Sequence, residues 1–380
     1  MGKKYLFTPG PTEVPPSVLA ACAEPIIHHR TLEFEQIFAE VNEGLQYVFE
    51  TSNPVLTFAA SGTGAMESAV ANLLSAGDEA LCVQGGKFGE RWTELCNAYG
   101  VKATPLDVEW GKAVEPSLIE KQLKDNPALK AVFVTLSETS TGVRSDLEAI
   151  GKIVAKTPAA LVVDAVSGLG ATRCRTDAWH LDVVVAGSQK ALMLPPGLAM
   201  VSVSDKAWAL VEKSTLPKYY FDWKKAKSNL DKKTTPFTPA VSLIVALRES
   251  LRLIREETLD AALARQARMA EACRAGLEAI GIELYSQSPV EGVTVGKVPE
   301  GIKGGDFVKR LWSDFGIKVA GGQAQLKGKI FRIATMGSLD CLDIPLVISA
   351  VEMTLHRMGY PVELGKGVAA AEKVLAQPVQ

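Results

Sequence analysis

The chain has 380 residues, 47% hydrophobic and 22% charged, a balance that excludes wholesale disorder. Length measured against roughly 150 residues per domain gives a prior of two to three domains. The 41 basic and 43 acidic residues leave a formal charge of -2, which offers no global field for nucleic acid or an anionic membrane. A small local basic site stays open, so composition leaves an enzyme or a binder of something small.

The start, Met1-Gly2-Lys3-Lys4-Tyr5-Leu6-Phe7, has two lysines and no apolar leader. Gly2 suggests myristoylation, but position 6 is Leu where that signal wants Ser or Thr. No apolar run approaches about 18 residues, so no membrane span is expected and the cytoplasm is the default location. Tyr5–Pro16 holds Pro9, Pro11, Pro15 and Pro16 and reads as an extended arm. Beyond it, β-branched runs alternate with helical patterns. Candidate strands are Val55–Ala60, Ala80–Gln84, Val101–Val108, Lys130–Leu136, Ala160–Ala165, Asp182–Gly187 and Leu198–Ser204. Several are apolar almost throughout, as strands covered on both faces must be. Helical stretches lie between them at Ala65–Leu74, Phe88–Tyr99, Pro116–Lys124 and Ser145–Ala155. The last opens Ser-Asp-Leu-Glu and reads as a capping box from Ser145 to Glu148. The repetition predicts an α/β domain with a mainly parallel sheet and helices on both faces.

The pattern changes after about Ser204. Helix dominates Val241–Ile280. Short strands follow at Ile282–Tyr285, Val293–Val298, Ile317–Val319 and Lys329–Ala334, with helices around Asp306–Phe315 and Ile344–Met358. This predicts a smaller α+β C-terminal domain. The expected division is an arm over 1–16, a large domain over 17–255 and a small one over 256–380. Cys22, Cys82, Cys96, Cys174, Cys273 and Cys341 form no C-x-x-C pair and have no His at zinc-finger spacing, so reduced, mostly buried thiols are expected. His28 and His29 would point different ways on a strand and are poor joint metal ligands; no metal is expected.

Three features carry chemistry. Ser61-Gly62-Thr63-Gly64 follows a strand and opens a helix, where backbone amides and the helix dipole favour an anion. No Gly-Lys-Ser/Thr triplet exists for a Walker loop, and the second strand ends Val83-Gln84-Gly85 without the acid of a dinucleotide fold. Asp164 ends an apolar run, at the sheet edge where open α/β folds bind ligands. Its bland alternative is a hydrogen-bonded structural aspartate. Lys190 ends Val183-Val-Val-Ala-Gly-Ser-Gln; partly desolvated, such a lysine has a lowered pKa and can form a Schiff base. A snorkelling surface lysine is its alternative. Together, in that order, the three suit pyridoxal 5'-phosphate: phosphate on Ser61–Gly64, pyridine nitrogen on Asp164, aldehyde on Lys190.

At this point the chain resembles a known family. Ser-Gly-Thr-Gly, Asp-x-x-Ser-x-x-Gly and Gly-Ser-Gln-Lys, in that order, look like the class V aminotransferases of fold type I. Within them the chain is similar to alanine–glyoxylate, serine–glyoxylate and serine–pyruvate aminotransferases. Thr8-Pro-Gly-Pro-Thr12, Ser137-Glu-Thr-Ser-Thr-Gly142, Leu194-Pro-Pro-Gly197 and Leu247-Arg-Glu-Ser-Leu251 extend the resemblance from about Tyr5 to Met358. It implies a seven-stranded large domain and a homodimer with sites at the interface. Lys190 would be the Schiff-base lysine and the base for the α-proton, with Asp164 on the pyridinium. Phe88 would stack on the ring where the family often has Trp, Thr139 would lie near the ring oxygen, and Gln189 would help hold the phosphate. Thr238, or Thr235 instead, would reach the neighbouring subunit's phosphate. Arg332 would clamp the substrate carboxylate, with the Gly10 backbone beside it. Phe88 also reads as a core aromatic, Thr139 as a turn hydroxyl and Arg332 as half of a structural ion pair. Tyr219-Tyr220-Phe221-Asp222 reads equally as a mobile lid or a packed loop. The implied reaction is a ping-pong transamination from serine or alanine to glyoxylate or pyruvate. Rivals are an aminoethylphosphonate transaminase, a cysteine desulfurase-like lyase and a non-catalytic subunit of the same fold.

Overall fold

The computed structural model describes residues 3–377. The Met1-Gly2 start and residues 378–380 of the expected C-terminal domain lie outside them. Strand β1 (Tyr5–Leu6) leads into helices α1 (Pro16–Cys22) and α2 (Leu32–Phe49). There follow β2 (Val55–Ala59), α3 (Gly62–Leu73), β3 (Glu79–Gln84), α4 (Lys87–Ala98), β4 (Lys102–Asp107), α5 (Pro116–Asp125) and β5 (Leu129–Thr135). A short antiparallel pair, β6 (Ser137–Glu138) and β7 (Val143–Arg144), precedes α6 (Leu147–Val154), β8 (Ala160–Asp164), β9 (Val183–Gly187) and β10 (Leu198–Val203).

The seven long strands form one sheet in the order β2-β10-β9-β8-β5-β3-β4. Strand β10 runs antiparallel to both β2 and β9, and the other pairings are parallel. Each face has its own core. Val132, Val134, Leu161, Val163 and Val184 point to one cluster with α2 and α9, and Ala131, Phe133, Val162, Val183 and Val185 to the other with α3. Burial on both faces is why these strands read as unbroken apolar runs. Parallel strands aim their carboxyl ends one way, which gathers Ser61, Ser137, Asp164 and Lys190 along a single edge.

After β10 come α7 (Asp205–Val211), α8 (Trp223–Leu230), α9 (Val241–Glu257) and α10 (Leu259–Ala279). The remainder is β11 (Val293–Lys297), α11 (Gly304–Phe315), β12 (Ile317–Lys318), β13 (Ala320–Gly321), β14 (Ile330–Ala334), α12 (Asp343–Arg357) and α13 (Lys366–Leu375). Strands β11, β14 and β13 make a three-stranded antiparallel sheet, and β1 pairs in parallel with β12. Phe7, on the arm, is fully buried among Met269, Phe307, Phe331 and Ile344. The arm is therefore fastened to the C-terminal region at one end. No helix among the described residues is long and apolar enough to cross a membrane.

Three sequence expectations are corrected, and a fourth gains detail. Ser145 does not cap α6: Asp146 accepts from the Ala149 amide at 3.0 Å, while the Ser145 hydroxyl donates to Thr135 O at 2.8 Å. Helix does dominate Val241–Ile280, as two helices that meet at Thr258, whose φ of 70° no helix accommodates. Ile282–Tyr285 is not a strand; Leu284 makes only an isolated bridge to Gly296. The extended arm stops at Pro15, because Pro16 takes the first position of α1, where its missing N–H costs nothing.

Candidate active site

A cavity of about 150 Å³ opens at the carboxyl edge of the sheet, lined in part by Ser61, Gly62, Thr63, Phe88, Thr139, Asp164, Gln189 and Lys190. Eight residues singled out in the sequence thus meet on one space. The first residues of α3, Gly62 and Thr63, whose amides have no partner within their own helix, line it. Ser61, the N-cap, keeps its hydroxyl free of any capping bond. Gly64 plays a different part: a Cβ there would press on Ala60 Cβ at 2.7 Å and on the Phe221 ring at 3.1 Å, so it serves close packing behind the turn.

Asp164 ends β8, 3% exposed, and its Oδ1 accepts from the Val166 amide at 2.9 Å. Burial pushes its carboxyl up to about 6, opposed by that amide and by the charges of Arg91 and Lys190. Lys190 lies in the turn after β9, and burial brings its amine down to about 8 against the attraction of Asp164. Its Nζ donates to Pro9 O. The arm crosses directly over it: Thr12 donates its hydroxyl to Lys190 O at 2.9 Å and its amide to Gln189 O at 3.2 Å. Gly10, at φ 138°, must be glycine, since a Cβ would also approach Lys190 Cε to 2.6 Å.

Arg332 lies on β14 beside this cavity, 6% exposed. It is held by backbone, not by a carboxylate: Nη1 donates to Thr139 O at 3.0 Å, and Nε and Nη2 donate to Gly321 O at 3.1 and 2.9 Å. A guanidinium carries five N–H donors, so two remain for another acceptor. Its charge also weighs on Lys190. Thr139 donates to Ser167 Oγ at 2.9 Å. Thr238 is exposed and does not line this cavity; the Thr235 hydroxyl is spent on Phe237 O at 2.8 Å. Tyr219 and Tyr220 stack on Phe237, with centroids at 5.7 and 5.4 Å.

Sequence reasoning missed part of the wall. Arg91 lies three residues beyond Phe88 on α4, and so on the same helical face; that spacing could have found it. Its Nη1 donates to Thr63 Oγ1 at 3.1 Å, and its guanidinium lies 4.9 Å from the centre of the Phe88 ring. Met66, Ser137, Val166 and Ser167 also line the space. Ser137 Oγ and Gln189 Oε1 are buried there without a partner, which a polar ligand would supply.

An amide-rich helix start, a buried strand-end carboxylate and a desolvated lysine around one cavity define an α/β enzyme pocket for an anionic ligand. Comparison with known proteins gives the family: residues 4–337 match aminotransferase class-V. The chain is 44% identical to the "Soluble hydrogenase, small subunit" of Synechococcus sp., over 98% of this chain and 99% of that one. It is 36% identical to the serine–glyoxylate aminotransferase of Methylorubrum extorquens, over 99% and 97%. The structure of ureidoglycine–glyoxylate aminotransferase from Bacillus subtilis superposes with a TM-score of 0.95 at 30% identity, covering 99% of both chains. The chain belongs to the class V aminotransferases. It is a transaminase of fold type I, dependent on pyridoxal 5'-phosphate. The pocket fits that group: anion-receiving amides, an acid, an amine and two orphaned polar atoms line it.

Proposed function

We propose that the chain moves the amino group of a small amino acid, serine or alanine, to glyoxylate or pyruvate in a ping-pong cycle. The observation that carries this is Asp164 and Lys190 facing one cavity beneath the α3 N-terminus. When bound, pyridoxal phosphate supplies an aldehyde that takes up the amino group and a ring that accommodates the electron pair left at the α-carbon. Ser61, Gly62, Thr63 and Gln189 hold its phosphate, with Gly64 shaping the turn. Asp164 keeps a proton on the pyridine nitrogen, and Phe88 stacks on the ring with Thr139 at its oxygen edge. Lys190 would anchor the aldehyde until the substrate's amino group displaces it; its freed amine, brought down to about 8 by burial, would then take the α-proton and return it one atom away. The two unspent donors of Arg332 receive the substrate carboxylate, beside the Gly10 backbone. Thr238 reaches the phosphate held by the other subunit of a homodimer.

Glyoxylate has the stronger support as acceptor, because it stands in the names of both aminotransferases above while their amino donors differ. Six free thiols, with Cys82 and Cys96 Sγ only 4.0 Å apart and unjoined, suit a reducing compartment, so we place the reaction in the cytoplasm. The test is a matrix of serine, alanine, aspartate and aminoethylphosphonate against glyoxylate, pyruvate and 2-oxoglutarate. Serine or alanine with glyoxylate or pyruvate is expected to give the largest kcat/KM. A preference for aminoethylphosphonate, or sulfide release from cysteine without transamination, would replace this reading. A colourless protein that takes up no cofactor would make the chain a non-catalytic subunit. K190A is expected to lose multiple turnover; its retention would remove Lys190 from the chemistry.

A further inference from the structure

One buried carboxylate has no part in the scheme above. Glu138, in β6, is 5% exposed and answers to amides and a hydroxyl. Its Oε2 accepts from the Phe88 and Gly89 amides at 3.0 and 2.9 Å. Its Oε1 accepts from the Ser140 amide at 3.2 Å and from the Ser140 hydroxyl. Ser140 Oγ in turn accepts from the Lys87 amide at 3.0 Å. Lys87, Phe88 and Gly89 are the first three residues of α4, whose N-cap is Gly86 and has no side chain to offer. Helix-start amides need an outside acceptor, and here it arrives from another element. Burial raises the Glu138 pKa, while the Ser140 hydroxyl and the three amides favour its charged form.

The same turn faces the other way as well. Thr139 O receives Arg332, and the Thr139 hydroxyl meets Ser167. Glu138 therefore joins the ring-stacking element to the carboxylate-binding one. We propose that Glu138 is a positioning residue, which clamps the α4 start to the 137–142 turn and so fixes the face of Phe88 against the cofactor ring. It touches neither cofactor nor substrate and acts through Phe88. The inference rests on the cofactor placement proposed above.

The test titrates the full-length apoprotein with pyridoxal phosphate and reads visible absorbance, induced circular dichroism and the dissociation constant. E138A is expected to weaken cofactor affinity about tenfold or more and to reduce the dichroism of the saturated protein. E138Q keeps one accepting oxygen but sets an NH2 donor against the other donors, so it is expected to fall between wild type and E138A. G86A keeps the carboxylate but sets a methyl against it, 2.5 Å from Glu138 Cγ, and is expected to fall with E138A. Wild-type affinity and dichroism in E138A would overturn the inference. So would a lowered melting temperature with unchanged dichroism at saturation, since Glu138 would then be a helix cap alone. If E138A does not fold, G86A with wild-type affinity and dichroism overturns it. A wild-type chain that binds no cofactor would overturn the placement itself, and the inference with it.

Discussion

Lys190 and Asp164 have opposite charges beside one cavity, yet burial disfavours the charged form of each. Burial outweighs their attraction, bringing the amine to about 8 from 10.5 and the carboxyl to about 6 from 3.8. For Lys190, whose folded pKa is lowered, the unfolded chain binds the proton better between those values. The contribution of Lys190 to apoprotein stability is thus complete above about 10.5 and lost as pH falls through about 8. For Asp164, whose folded pKa is raised, the contribution is complete below 3.8 and lost as pH rises through about 6. Lys190→Met keeps the aliphatic stem and removes the charge. Its apoprotein should be more stable than wild type at pH 7 by about 1–3 kcal/mol, a gain that shrinks between pH 8 and 10.5. Urea unfolding across pH measures this, and a pH-independent difference would contradict it. Asp164→Asn keeps an acceptor for the Val166 amide but gives up the negative charge. Its kcat should fall on the order of 10²-fold or more with the fold intact, and a variant within tenfold of wild type would contradict the role.

Among the elements, α6 separates two readings of its start. If Asp146 is the cap, Asp146→Ala should cost about 1 kcal/mol in urea unfolding. Glu148 is exposed and pairs only with Lys152 at 2.7 Å, so Glu148→Ala should leave the midpoint unchanged. A capping box would have made the Glu148 change matter, and equal losses would restore it. Such local errors coexist with sheet strands located to within one or two residues. Strands like β8 and β9 announce themselves because successive buried positions are apolar almost throughout, with Asp164 the exception at the end of β8. Lys190, Asp164 and Ser61–Gly64 were legible for the same reason, as polar residues interrupting those runs at one sheet edge. The break at Thr258 was not, because the apolar period continues through it and only the backbone turns. Helix α2 escaped notice although Thr31 caps it and Phe34, Ile37, Phe38, Val41 and Leu45 recur at helical spacing. Glu138 lies in the Ser137–Gly142 motif, but its clamp on α4 left no linear signal, since the Phe88 and Gly89 amides lie about 50 residues earlier in the chain.

At the scale of the molecule, several large apolar side chains stand exposed. Ile26, Leu32 and Tyr219 are 77%, 83% and 75% exposed. Arg30 donates to Thr234 Oγ1 at 2.6 Å, which ties the α1–α2 connection to the segment carrying Phe237 and Thr238. The aromatic stacking of Tyr219 and Tyr220 on Phe237 favours a packed loop over a free lid, and Thr238 beside it is exposed and does not line its own subunit's cavity. Exposed apolar side chains of this size are what the second copy of the proposed homodimer would cover. Ile26→Glu with Tyr219→Lys should convert a sedimenting dimer to a monomer and weaken cofactor binding, since each site would lose the other subunit's Thr238. A variant that stays dimeric with full affinity would place the interface elsewhere. Mixing separates action within one subunit from action across two. A dimer of one K190A chain and one Thr238→Val chain holds one site with both defects. If Thr238 acts across the interface, its other site has a wild-type Lys190 and receives a wild-type Thr238 from its partner. Such heterodimers should regain cofactor affinity at one of their two sites, whereas a Thr238 acting on its own subunit would leave none restored.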